Sequence, residues 1–293
     1  MIYLILSILS STAIYIIFKY ADKFKINTFD IIIINYITAS ILGFIISDIH
    51  NLNFSIFKNE WFPYSALIGV LFILLFVVIA KSSQVVGIAV TTVSNKMSVI
   101  IPIIVSIIID PLDVLTNLKT IGIILALIAV FLTIYRKRNV NFQPHDIYLP
   151  VILFLGMGLV DSLVKFAQQN FVNDSILALF TVVLFMMAAT TGIITKIILK
   201  TSFKNLINSK TFLWGVALGI SNYGSLYFII RALNHKTNSG NTFDGSIVFG
   251  INNLGVIALS VLFGLIFFKE KLLKINWIGI SIACVAIYIL SKT

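Results

Sequence analysis

The sequence is poor in almost everything from which a water-soluble catalytic domain is built. Charged residues fill 11% of its 293 positions, with 11 acidic residues, 3 histidines, 5 prolines and 1 cysteine. The lone Cys284 excludes a disulfide framework and a thiolate metal cluster. His50, His145 and His235 fall in separate polar stretches, without the spacing of a zinc-binding helix. There is no Gly-rich phosphate loop and no Gly-x-Ser-x-Gly elbow. Asp161, an acid inside an apolar segment, has no carboxylate partner there to complete a general acid–base pair. An enzyme is therefore not expected, and neither a metal nor another cofactor is called for. Long polar stretches are also missing. Residues 48–62, 136–147 and 234–245 are the longest and leave no room for a soluble domain.

What is present is apolar. Hydrophobic residues make up 59% of the chain and the mean hydropathy is +1.06, far outside the usage of soluble domains. Ten stretches approach the ~20 residues that cross ~30 Å of hydrocarbon: 2–18, 29–47, 64–80, 85–109, 120–135, 149–167, 176–199, 212–233, 246–268 and 275–290. The first starts at residue 2 with no basic region before it and no small-residue cleavage site after it, which argues for a retained helix and against a removable signal. Trp61, Trp214 and Trp277 each open a span, where an indole is expected at headgroup level. The fold class expected is an all-α integral membrane protein of ten transmembrane helices and its lipid bilayer.

The spans repeat. Lys19-Tyr20-Ala21 ends the first and Lys165-Phe166-Ala167 the sixth, 146 residues later. "TASILGFI" in the second aligns with "MAATTGII" in the seventh, pairing Ala39 with Ala188 and Gly43 with Gly192 at 149. Gly69 pairs with Gly219 and Lys81 with Arg231 at 150; Asn95 pairs with Asn252 and Gly122 with Gly279 at 157. Offsets that only grow are what a duplicated five-helix unit leaves behind. Because five is odd, residues 1–138 and 139–293 are expected to lie in the membrane as two inverted five-helix repeats around a midplane site.

With these residues the chain resembles the drug/metabolite transporter superfamily in its EamA-type branch. A Glu-Lys-Leu after the penultimate helix and a Gly-rich last helix match Glu270-Lys271-Leu272 and Gly279; in the first half Gly122 is in place and Asp113 stands where the glutamate would be. The resemblance covers essentially the whole chain. It implies a secondary transporter working by alternating access, without naming a substrate.

Lys96 is the sharpest sequence signal. It stands 11 residues from Val85 and 13 from Ile109, so about 16–20 Å of helix separate it from either end. A central lysine costs about 3 kcal/mol on insertion scales and is too deep to snorkel, so it should face a polar cavity. The structural alternative is a lysine that caps carbonyls freed near Pro102 or locks two helices. Asn95 beside it, with Asn252 and Asn253 in the other half, places amides from both halves at one depth; alone, such amides more often glue helices together. "SNKM" is also similar, through Asn95 and Lys96, to the Gly-Ala-Leu-Asn-Lys motif of nucleotide-sugar transporters, which implies an anionic head group near Lys96. Asp161 and Lys165, four apart, share a helix face: either a charge pair or a proton or ion coupling site. Asn222 and Tyr223, with Tyr227 one turn on, offer one more polar patch. Lys19, Lys81 and Arg231, at span ends, read as snorkelling anchors.

The net charge of +10 is dispersed among short connections and is no nucleic-acid footprint. Odd-numbered connections carry 14 Lys/Arg, against 5 in even-numbered connections plus the C-terminus. Positive-inside then puts the odd connections in the cytoplasm and both termini outside, opposite to the usual orientation of the family resembled. The reading is an inner-membrane carrier of a small polar, anionic or zwitterionic metabolite such as an amino acid, an exporter driven by protons or an exchange substrate, as monomer or homodimer. A lipid-linked-sugar flippase, a nucleotide-sugar or sugar-phosphate exchanger and a structural membrane subunit remain alternatives.

Overall fold

A computed structural model describes residues 2–46, 54–109, 115–135, 144–172, 174–233 and 245–291. Among these the chain forms helices and short 3₁₀ turns, without a strand. The helices are α1 (Ile2–Lys23), α2 (Thr28–Ile46), α3 (Phe62–Val85), α4 (Ile88–Met97), α5 (Ile100–Ile109), α6 (Asn117–Ile134), α7 (Tyr148–Asn170), α8 (Asp174–Ile198), α9 (Ser209–Leu233), α10 (Gly245–Ile266) and α11 (Lys274–Leu290). Nine apolar segments among the described residues are long enough to cross a bilayer, counting Ile88–Val105 as one; α11 is a shorter tenth. Their outer faces carry Ile108, Phe131, Ile198 and Leu213, all exposed. Hydrocarbon accepts such faces, and helices satisfy their own backbone groups there. The chain is a multi-pass helical membrane protein. Asp113, His50 and His235 lie outside the described residues.

The fourth apolar span, expected as one helix, is two. Pro102 has no N–H to give the Ser98 carbonyl, and Ile101 N–H takes its place at 2.9 Å, a tighter turn that separates α4 from α5 at Ser98–Val99. Trp61 also departs from expectation. It is buried, edge-on to Phe180 at 6.1 Å, whereas Trp277 is exposed.

Two cores result. The larger draws on α1, α2, α3, α7, α8 and α9; the other is built from α4, α6, α10 and α11, with Leu149 and Phe154 of α7. Helices meet closely at glycines. A methyl on Gly69 of α3 would stand 2.6 Å from the Leu184 carbonyl oxygen of α8, and one on Gly219 of α9 would stand 2.8 Å from the Asn35 carbonyl oxygen of α2. Likewise Gly122 of α6 lies against Leu290 of α11, and Gly279 of α11 against Thr133 of α6. From the order of such contacts, α3 runs parallel to α8 and α9 to α2, while α6 and α11 are antiparallel.

Candidate functional site

A cavity of about 560 Å³ lies among α1, α3, α4, α5, α7, α8, α9 and α10. It is lined by Asn95 and Lys96 from α4, Asp161 and Lys165 from α7, Asn222 from α9, and Asn252 and Asn253 from α10. Seven of the nine residues singled out for a site in the sequence thus share one space, and Tyr227 is not among them. Tyr223 does not line it. That ring is buried beside Gly43 and stacks on Tyr227 at 5.9 Å, with Arg231 over the Tyr227 face at 5.2 Å.

The helix break aims the polar groups. Asn95 and Lys96 fall in the last turn of α4, where backbone carbonyls run out of helical partners and a cation is favoured. The Asn95 carbonyl accepts from the Ser98 hydroxyl at 2.5 Å, and its side-chain amide donates to the Tyr15 hydroxyl at 2.6 Å. Tyr15 therefore fixes the orientation of Asn95, a role that nothing in the α1 sequence signals. Asp161 reaches across from α7: its carboxylate faces the Lys96 ammonium and lies beside Ser98. The space holds both signs of charge, two cations to one anion among these three residues.

Among the amides that line the cavity, Asn222 Nδ2 and Asn252 Oδ1 are buried and have no protein partner. An unsatisfied buried donor or acceptor costs about 1–3 kcal/mol, which water or a ligand in the cavity would relieve. Phe72, Phe76, Phe185 and Met157 form an apolar wall, backed by Tyr36, whose ring is 5.2 Å from Phe76.

Away from the cavity, several charges do more than the sequence suggests. Lys196 and Asp30 form a buried ion pair of 2.5 Å between α8 and α2. Lys19 is not a snorkelling anchor: its ammonium donates to the carbonyls of Ser83 at 2.9 Å and Gln84 at 3.0 Å. It also lies 3.7 Å from Glu270, whose carboxylate accepts from the Ile88 and Ala89 amides at 2.7 and 3.4 Å. Glu270 thus caps α4 from a remote part of the chain. The intervening Gly87 has φ 116°, a conformation that side chains resist. A charge at a span end reads as an anchor in sequence, and only a partner on another helix distinguishes these.

No family model matches the chain. It is 28% identical over 295 residues to an uncharacterized protein of Haemophilus influenzae, the alignment covering 98% of this chain and 96% of that one. The similarity therefore spans the whole length and carries no functional assignment.

Proposed function

We propose that the protein is a secondary carrier for a small zwitterionic or anionic metabolite, built as two inverted five-helix repeats that expose a midplane site alternately to either side. The observation that carries the reading is the convergence of Lys96, Asp161 and amides of both halves on one cavity. A polar, two-signed site deep in an apolar bundle marks a solute pathway, since ionisable groups at that depth are costly otherwise. A volume of about 560 Å³ falls in the range of small-molecule pockets, and the phenylalanine wall suits an apolar portion of the solute.

The inverted repeat is supported by the glycine contacts. Gly219 follows Gly69 by 150 residues and Leu184 follows Asn35 by 149, and each glycine meets the corresponding carbonyl. Leu290 likewise follows Thr133 by 157, the spacing of Gly279 from Gly122. A discontinuous helix at the site, as in α4–α5, is a recurrent feature of such carriers. This architecture agrees with the EamA-type resemblance. In this reading odd-numbered connections face the cytoplasm of a bacterial inner membrane. The bias survives the loss of Lys196 from the count, since that residue is buried.

The test is a thermal-shift screen of purified protein against amino acids and other small metabolites, in which a ligand at 100 times its Kd stabilises by about 2.7 kcal/mol. Hits are then followed as labelled solutes into proteoliposomes. Saturable uptake of a stabilising zwitterion or anion supports the carrier. Translocation of a lipid headgroup reporter, with no solute uptake, would make the protein a flippase instead.

A further inference from the structure

We infer that Asp161 and Asn252 form the contact that closes this carrier on the side left open here, joining α7 to α10 as Tyr15 and Asn95 now join α1 to α4. The inference rests on the carrier reading above and adds which residues meet in the opposite state.

Contacts between the two halves come in matched pairs. Tyr20 of α1 meets Trp214 of α9 at 6.0 Å, and Phe166 of α7 meets Tyr64 of α3 at 5.5 Å. Phe166 follows Tyr20 by 146 residues and Trp214 follows Tyr64 by 150, the offsets of those spans in the repeat. Next to each ring in its own helix stands a fully buried alanine, Ala21 or Ala167. Its carbonyl accepts from the amide five residues on, at 2.9 Å from Ile26 and at 3.0 Å from Val172.

Contacts within a half are not matched. In the first half α1 packs on α3 and reaches α4. There the Phe18 and Phe76 rings meet edge-on at 6.0 Å, Gln84 Nε2 donates to the Phe18 carbonyl at 3.0 Å, and Asn95 donates to the Tyr15 hydroxyl at 2.6 Å. In the second half α7 lies on α3, α4 and α5, and among the described residues it has no comparable packing on α9 or α10. At offsets of 146, 150 and 157, Val164 and Leu226 correspond to Phe18 and Phe76, and Asp161 and Asn252 to Tyr15 and Asn95. Instead of meeting, Asp161, Leu226 and Asn252 line the cavity, and Asn252 leaves Oδ1 without a protein partner. The cavity is thus shut where α1 joins α3 and α4 and open between α7, α9 and α10, where its lining runs on to Ile229 and Phe249.

Inverted halves that exchange conformations exchange these contacts. In the opposite state α7 comes onto α9 and α10, Val164 packs on Leu226, and the Asn252 amide donates to the Asp161 carboxylate. Tyr15 releases Asn95, and α1 parts from α3. A valine and a leucine bury less apolar surface than two phenylalanines, whereas a hydrogen bond to a carboxylate is stronger than one to a phenol. The two differences act in opposite directions, which keeps the states close in energy.

Distances across the two ends of the bundle test the pair. In a Cys284→Ala background, spin labels are attached at Lys23→Cys with Lys81→Cys, across the ends of α1 and α3, or at Gln169→Cys with Arg231→Cys, across the ends of α7 and α9; all four positions are exposed. Pulsed electron–electron resonance on purified protein in lipid nanodiscs reads each distance. Tyr15→Phe should raise the population with α1 and α3 apart and α7 and α9 together by roughly fivefold, the shift that one hydrogen bond carries. Adding Asn252→Leu should cancel that gain. Asn95→Leu loses the same bond as Tyr15→Phe and replaces it if that variant fails to fold. No gain, or a gain that Asn252→Leu leaves in place, overturns the pair, while two anticorrelated distances still leave a carrier. A single fixed distance across each end in every variant overturns both.

Discussion

Asp30 and Lys196 meet at 2.5 Å with their side chains 0% and 3% exposed, joining the first turn of α2 to the last turn of α8. Breaking such a pair leaves an uncompensated buried charge, so Asp30→Ala or Lys196→Met should cost about 3–5 kcal/mol. Replacing both partners together, as Asp30→Leu with Lys196→Met, should recover most of the loss. Thermal melting of the three variants in one detergent decides; a double variant no better than either single would mean that the pair is not the cause.

If Lys96 holds the anionic part of the solute, Lys96→Ala should weaken binding by several kcal/mol, because a charge-assisted contact in a partly dry cavity is strong and its loss leaves the solute charge unpaired. Lys96→Arg should restore only part, since a planar fork does not replace a compact ammonium. Because the Asp161 carboxylate faces Lys96, the alanine variant should also melt lower without ligand, and Asp161→Asn made with it should recover part of that loss. A destabilised alanine variant that binds normally would make Lys96 a structural residue.

Asp161→Asn should remove the pH dependence of net transport and leave solute-for-solute exchange intact, if the carboxylate carries a proton opposite Lys96 and near Lys165. Exchange and net uptake measured across a pH series on the same vesicles separate the two. Loss of exchange as well would place Asp161 in binding.

The antiparallel α6–α11 seam gives a steric test. A methyl on Gly279 would lie 2.7 Å from the Thr133 backbone nitrogen and 3.0 Å from the Ala129 carbonyl oxygen, whereas one on Gly122 would meet the Leu290 side chain at 2.6 Å. Backbone cannot turn aside and a leucine can. Gly279→Ala should therefore destabilise by roughly 1–3 kcal/mol, the usual cost of overpacking, and Gly122→Ala by less. Equal melting temperatures would refute the argument.

The apolar spans and the lining of the cavity were legible in sequence for one reason. Lys96 and Asp161 are expensive where they stand, so a charge amid apolar residues announces itself. The same logic hid Asp30, Lys196, Lys19 and Glu270. At a span end a charge is cheap, and whether it reaches lipid headgroups or another helix is decided by contacts 64 to 182 residues away in sequence. The division of α4 from α5 rests on the single missing amide of Pro102, which an otherwise uninterrupted apolar run conceals. Tyr15 gave no sign because a tyrosine in an apolar helix is ordinary packing until an amide is found beside its hydroxyl.

Each core draws on both halves of the chain, and this bears on how the protein is made. Residues 1–138 reach the membrane first but hold only α1–α3 of the larger core and α4–α6 of the smaller region, with the facing surfaces still to come. Asp30 is separated from Lys196 by 166 residues, which at typical synthesis speeds of ~5–20 residues per second is a wait of roughly 10–30 s. Through that interval the acid lacks the cation it meets in the folded protein, and the cations near it in sequence are Lys23 and Lys25. The nascent first half must therefore hold the start of α2 at the water's edge, or in the keeping of the insertion machinery, until α8 emerges and draws it in.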